Sequence, residues 1–139
     1  MQTAEERIAA AMAIIRAAGG RSTSARGAVV RMLAGAAHLS AAEVHARLAA
    51  GGAQFDLSTV HRILTALTGL GVVHAIPVAG VVTYGMADLP HHHTVCRGCG
   101  AVRQLSPQAV AAVIAAATAD GTFTTDAEGR DGGVVVYGT

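Results

Sequence analysis

Apolar positions recur every three or four residues through the first half of the chain, and then the period shortens to two. From Glu5 to Ala18, Ile8, Met12 and Ile15 fall on one helical face, and Gly19-Gly20 stops the run. Ser24 is placed to cap a second helix carrying Val29, Val30, Met32 and Leu33, which Gly35 ends. Ser40 and Glu43 have the spacing of a capping box and predict a third helix running to about Ala50, broken by Gly51-Gly52. Ser58 is the N-cap candidate for a fourth helix, Thr59 to Leu70, whose inner face is Val60, Ile63, Leu64 and Leu67. Two short β-rich runs follow, Val72 to Ile76 and Val81 to Tyr84, turning through Pro77-Val78-Ala79-Gly80.

Helices followed by a hairpin predict a winged helix-turn-helix over residues 1–85, with the Thr59 helix in the recognition position. Its outward face offers Ser58, Thr59, His61, Arg62 and Thr65, which suit phosphates and base edges. An ordinary amphipathic helix with a solvated face has the same pattern. Residues 86–90 read as a hinge stiffened by Pro90. Beyond it lie a weakly alternating strand, Ala101 to Leu105, and a helix from Ser106-Pro107 through Ala119. Two further strands, Thr122 to Thr125 and Val134 to Tyr137, are expected around a turn-rich stretch. The expected fold class is α+β, with residues 91–139 forming a small second domain.

Aromatic residues make up only 3% of the 139, so the core must be built of Ala, Val, Leu and Ile. Such a core buries little area per residue and favours an oligomer with shared packing. Up to Leu89 seven arginines face five acids, and afterwards three face four. The mildly basic first half permits contact with nucleic acid. No stretch is long and apolar enough to predict a membrane span, and Glu5, Glu6 and Arg7 are unlike an export signal. The expected compartment is the cytoplasm.

The chemistry concentrates in His91-His92-His93-Thr94-Val95-Cys96-Arg97-Gly98-Cys99-Gly100. Cys96 and Cys99 are the only cysteines, at the spacing of a metal knuckle, and Gly98 and Gly100 allow the tight turn. On a strand His91 and His93 share one face. His92 and His45 read as solvated. The competing reading is a pair of buried thiols beside a solvated histidine run. A redox dithiol lacks the βαβ pattern that surrounds such motifs.

Several blocks in order carry a resemblance: Arg21-x-Thr23-x-x-Arg26, His38-Leu39-Ser40-Ala41-Ala42-Glu43-Val44, Ser58-Thr59-Val60-His61-Arg62-Ile63-Leu64, Gly71-Val72-Val73 and the His-rich Cys-x-x-Cys-Gly. Together they resemble the ferric uptake regulator (Fur) family of metal-responsive repressors. The resemblance implies a homodimer that binds double-stranded promoter DNA, a dimerising second domain and a metal at the hinge. It implies DNA contacts from Arg21, Arg26, Ser58, Thr59, His61 and Arg62, and metal ligands among His38, His74, His91, His93, Cys96 and Cys99. A nitrogen-rich set favours Zn2+, with Ni2+ or Fe2+ next.

There are departures from the family pattern. His61 and Ile63 stand where it has tyrosine and threonine, and Gln104, Gly85 and Gly132 fall where it tends to have ligands. It often carries a second Cys-x-x-Cys after the last strand, where this chain has Gly138-Thr139. A metal-independent regulator and a small zinc hydrolase are the competing expectations, the latter without an evident general base.

Overall fold

The computed structural model describes residues 2–20, 24–36, 38–88, 92–125 and 133–139. Its first half is the expected helical domain. Helix α1 spans Ala4–Ala17, α2 Ser24–Ala34, α3 Ala41–Ala50 and α4 Leu57–Gly69. Short strand β1, Leu39–Ser40, joins the hairpin β2, Val73–Val78, and β3, Val81–Met86, in the order β1-β3-β2.

Local side-chain chemistry sets the helix starts. Thr3 and Glu6 close a capping box at α1, with Thr3 N donating to Glu6 Oε2 at 3.0 Å and Glu6 N to Thr3 Oγ1 at 3.1 Å. Ser40 and Glu43 do the same for α3, as expected. The cap of α4 is Asp56 and not Ser58. Its carboxylate accepts from Thr59 N at 2.8 Å and from Ser58 Oγ at 3.0 Å, so the helix begins at Leu57 and Ser58 lies in its first turn. Ser24 is likewise the first residue of α2, and the position before it lies outside the described residues.

The hairpin is longer than expected, and its turn is only Ala79-Gly80. Both have left-handed backbones, φ 50° and 80°, as a two-residue primed turn requires. Pro77 lies within β2, opposite Val82. A proline is tolerated there because β2 is an edge strand.

Val29, Val30, Leu33, Val44, Val60, Leu64, Leu67, Val72 and Val73 form the centre of a helical core that α1 closes with Ile15. The second sheet has the order β5-β4-β6, with β4 His92–Cys96, β5 Val102–Leu105 and β6 Val135–Gly138. β4 is antiparallel to β5 and parallel to β6. This sheet packs against the wing, where Ile76 and Val78 of β2 meet Val95, Val102 and Val135. The wing thus belongs to both halves.

The expected helix after Ser106 is a 3₁₀ turn, Pro107–Val110, followed by α5, Ala111–Thr118. None of the residues of α5 is buried. Thr122 to Thr125 is not a strand. Thr122 donates instead through N and Oγ1 to Asp120 Oδ1, at 2.9 and 2.7 Å, and this local turn leaves Phe123 exposed. β4 takes β6 as its second neighbour. The expected hinge begins on the wing itself, since Met86 pairs with Val73 and Ala87 N donates to Val72 O at 3.0 Å. Leu89, Pro90 and His91 lie outside the described residues.

Candidate metal centre and nucleic-acid interface

Three imidazoles converge where the two sheets meet. His38 precedes β1, His74 is the second residue of β2 and His93 the second of β4. His74 faces Gly85 across the hairpin, which presents no side chain of its own. His93 is on the central strand of the second sheet, between Gln104 and Val135. His74 and His93 are 1% and 0% exposed, and His38 is half-buried. The His38 and His74 rings stack with centroids 5.2 Å apart, and His93 stands edge-on to both at 4.8 Å.

Their nearest nitrogens fit a transition metal. One from each ring lies within 4.8 Å of the others, and His38 Nε2 is 3.0 Å from His74 Nε2. Without a metal, that distance requires one ring to donate and the other to accept. Tetrahedral zinc with Zn–N of 2.0–2.1 Å would hold two nitrogens about 3.4 Å apart, so for the His38–His74 pair only tenths of an ångström separate the two arrangements. Among the described residues no carboxylate or thiol joins the three. The donor set is therefore all nitrogen, which suits zinc or nickel better than hard-ligand cations.

The other expected ligands stand apart from this cluster. His91 lies outside the described residues. Cys96 and Cys99 form the knuckle at the far end of β4, both as free thiols. Cys99 N donates to Cys96 Sγ at 3.4 Å, and Gly100, with φ 74°, donates to Cys96 O at 2.8 Å. The N–H of Cys99, then its side chain and the backbone of Gly98, lower the Cys96 thiol pKa. No third donor joins the two sulfurs among the described residues. His92 is a correction to the sequence reading. It is buried, and its Nδ1 accepts from Val134 N at 2.8 Å, so it ties β4 to the segment entering β6.

The outward face of α4 is open. Ser58, His61, Arg62 and Thr65 are exposed and Thr59 half-buried. Arg62 donates to Thr59 Oγ1 at 3.1 Å, which holds its guanidinium along the helix surface. Arg26 is half-buried, with its guanidinium against Gly20 at the end of α1. Arg21 lies outside the described residues.

The sequence reading missed an ion pair. Arg7 of α1 grips Asp88 in bidentate fashion, through Nε at 2.6 Å and a terminal nitrogen at 3.0 Å. The residues are 81 positions apart, and no local signal couples them. Among the described residues, no helix is long and apolar enough to cross a membrane.

No curated protein matches the chain in sequence. Solved structures do match it in fold. The ferric uptake regulator of Pseudomonas aeruginosa, solved with manganese, is 27% identical, with a TM-score of 0.72 over 89% of this chain and 92% of that one. The regulator of Vibrio cholerae, described as showing rearranged DNA-binding domains, is 23% identical, with a TM-score of 0.73 over 90% and 95%. A zinc uptake regulator complexed with zinc and DNA is 22% identical, with a TM-score of 0.68 over 99% and 93%. The sequence model described as "Ferric uptake regulator family" matches residues 17–127. The chain belongs to that family of metal-responsive, DNA-binding transcription regulators, and it is not an enzyme.

Proposed function

We propose that the chain is a zinc-responsive repressor acting on promoter DNA in the cytoplasm as a homodimer. The observation that carries this reading is the convergence of His38, His74 and His93 from segments on both sides of the hinge. Residues 1–85 would bind DNA, 86–90 would flex and 91–139 would hold the dimer. His38 and His74 belong to the first part and His93 to the last. A cation held by all three favours one arrangement of the halves, and DNA that prefers the same arrangement gains affinity by linkage. Zinc supplies a Lewis-acidic centre with no redox chemistry of its own, and the protein supplies neutral imidazole lone pairs from buried rings. His91 is the proposed fourth ligand. Nickel is the next candidate, and Fe2+ the least suited to an all-nitrogen set.

On the DNA side, Arg62 would donate to a phosphate, with Ser58, Thr59 and His61 beside it on α4 and Arg21 and Arg26 flanking the helix. The exposed apolar surface of α5, with Val113 56% exposed, supports a second copy of the chain as its cover.

A second reading has its own support. Ile76 and Val78 already pack on Val95, so the halves have a contact that needs no metal. A regulator locked in its DNA-binding arrangement would bind without zinc. Operator affinity with zinc and with a chelator separates the two. A zinc-dependent gain of 5- to 150-fold, abolished by His38→Ala and His93→Ala, is expected for the switch. Equal affinity in both conditions establishes the metal-independent regulator.

A further inference from the structure

The leading end of α4 carries a negative charge, although a helix can be capped without one. Thr3 and Ser40 cap α1 and α3 with uncharged hydroxyls. At α4 the cap is the Asp56 carboxylate, on the helix whose exposed face offers Ser58, His61 and Arg62. Double-stranded DNA presents a phosphate charge about every 1.7 Å along its axis. A fixed anion at the end of a helix that approaches such a surface weakens binding to every sequence alike. It raises specificity only through a contact that some sequences can make and others cannot.

The carboxylate is held firmly and has one oxygen to spare. Oδ1 accepts from Thr59 N at 2.8 Å and from Ser58 Oγ at 3.0 Å. Neither bond uses Oδ2, and Asp56 is exposed. Thr59 and then Ser58 keep the carboxyl at about 2, so it is ionised near neutral pH. Arg62 does not neutralise it by contact. The guanidinium donates to Thr59 Oγ1 at 3.1 Å, and among the described residues no arginine forms an ion pair with Asp56.

We propose that Asp56 is a base-reading residue whose Oδ2 accepts from the N4 amino group of one cytosine in the major groove. The inference rests on the reading of α4 as the recognition helix. In that position the N-terminal residues of the helix are the ones that reach base edges. The choice of base follows from the pattern of donors and acceptors in the groove. Guanine shows two acceptors there, thymine an acceptor and a methyl group, and adenine an acceptor beside its amino group. Cytosine shows a donor and no acceptor of its own. An ionised carboxylate can only accept, so cytosine is the one base that it meets without repulsion. Leu57 adjoins Asp56 and is 41% exposed, which adds apolar surface where the contact would be shielded from water.

The test uses the full chain with zinc and a pool of random-sequence duplexes, since Asp56→Asn reverses the polarity of the outward atom. Its carbonyl oxygen replaces Oδ1 and keeps the cap, and its amide NH2 replaces Oδ2 and donates. The wild type should select sites with a cytosine that it prefers by about fivefold or more over the other bases at that position. Asp56→Asn should lose that preference and gain one for guanine at the same position. Asp56→Ser keeps a capping oxygen but reaches no base, and should accept all four bases there about equally. Both variants should keep the helicity of the wild type by circular dichroism and its base preferences elsewhere in the site, which a purely structural role for Asp56 would not separate. Selection of the same site by Asp56→Asn, with undiminished preference for cytosine, would overturn the inference and leave the DNA-binding reading standing. A wild type that selects no sequence from the pool would overturn both.

Discussion

The two halves bury apolar surface to very different degrees. The helical half encloses one continuous core, in which Ile15, Val29, Val30, Val44, Val60 and Leu64 are all fully buried. The second half has Val95 and Val110 as its buried apolar residues among those described, and Val95 is covered partly by the wing. No residue of helix α5 is fully buried, although its sequence Ala111-Ala112-Val113-Ile114-Ala115-Ala116-Ala117-Thr118 is almost wholly apolar. A helix that apolar is not stable facing water on all sides. The lesson is that the first half is equipped to fold by itself, and the second is equipped to fold against something else.

The largest expected effect breaks the self-sufficient half. Leu64 is fully buried on α4 and packs among helices on several sides. Leu64→Ala should cost about 2–5 kcal/mol, through lost transfer energy and the cavity left behind. Denaturant unfolding followed by circular dichroism reads it directly. A loss below 1 kcal/mol would mean that the core of the helical half is not the rigid unit described.

The next prediction acts on the other half. Val113→Glu puts a charge on the exposed face of α5. If a second copy covers that face, the substitution should convert dimer to monomer in light scattering and leave the unfolding midpoint of the helical half unchanged. A variant that stays dimeric would move the interface away from α5. A variant that unfolds both halves together would erase the contrast between them.

Much of this contrast was legible in the sequence, and the exceptions have a common cause. Ser40 and Glu43 announced α3 because a capping box is a contact between residues three apart. The inner face of α4 was legible for the same reason: Val60, Ile63, Leu64 and Leu67 repeat with the helix itself. Pro77 was assigned to the turn because only an edge strand tolerates it, and edge position is a property of the whole sheet. His92 was assigned to solvent because nothing nearby shows that Val134, 42 residues on, would cover it. Thr122 to Thr125 has strand composition, but strand identity depends on a neighbour, and β6 took that place. The meeting of His38, His74 and His93 followed from the family resemblance and not from spacing, since 36 residues separate the first two. Arg7 and Asp88 show the same limit over 81 residues.

That ion pair supplies a smaller prediction at the boundary between the halves. Both side chains are about one-fifth exposed and the geometry is bidentate, so the pair is better placed than an ordinary surface bridge. Solvent still screens it, and a double-mutant cycle of Arg7→Ala and Asp88→Ala should give a coupling of about 1 kcal/mol. The coupling should shrink in high salt. If the cycle gives zero at low salt, α1 does not anchor the start of the proposed hinge.

The smallest effect is confined to the first turn of α4, and pH reads it. The Asp56 carboxyl is held at about 2, first by Thr59 and then by Ser58, which donate hydrogen bonds to its charged form. A group whose pKa falls on folding stabilises the fold above its unfolded value, here 3.8, and that contribution is lost as pH drops through about 2. The cap should therefore be at full strength near neutral pH and fail only in strong acid. Asp56→Asn keeps an acceptor oxygen for Thr59 N but carries no titrating charge. Between pH 4 and 2 the wild type should lose its stability advantage over Asp56→Asn, while above pH 5 the gap between them should stay constant. Parallel stability curves for the two proteins across the acid range would show that the charge of Asp56 does not hold the start of the proposed recognition helix, and the first turn bearing Ser58 and Thr59 would have to be fixed by packing alone.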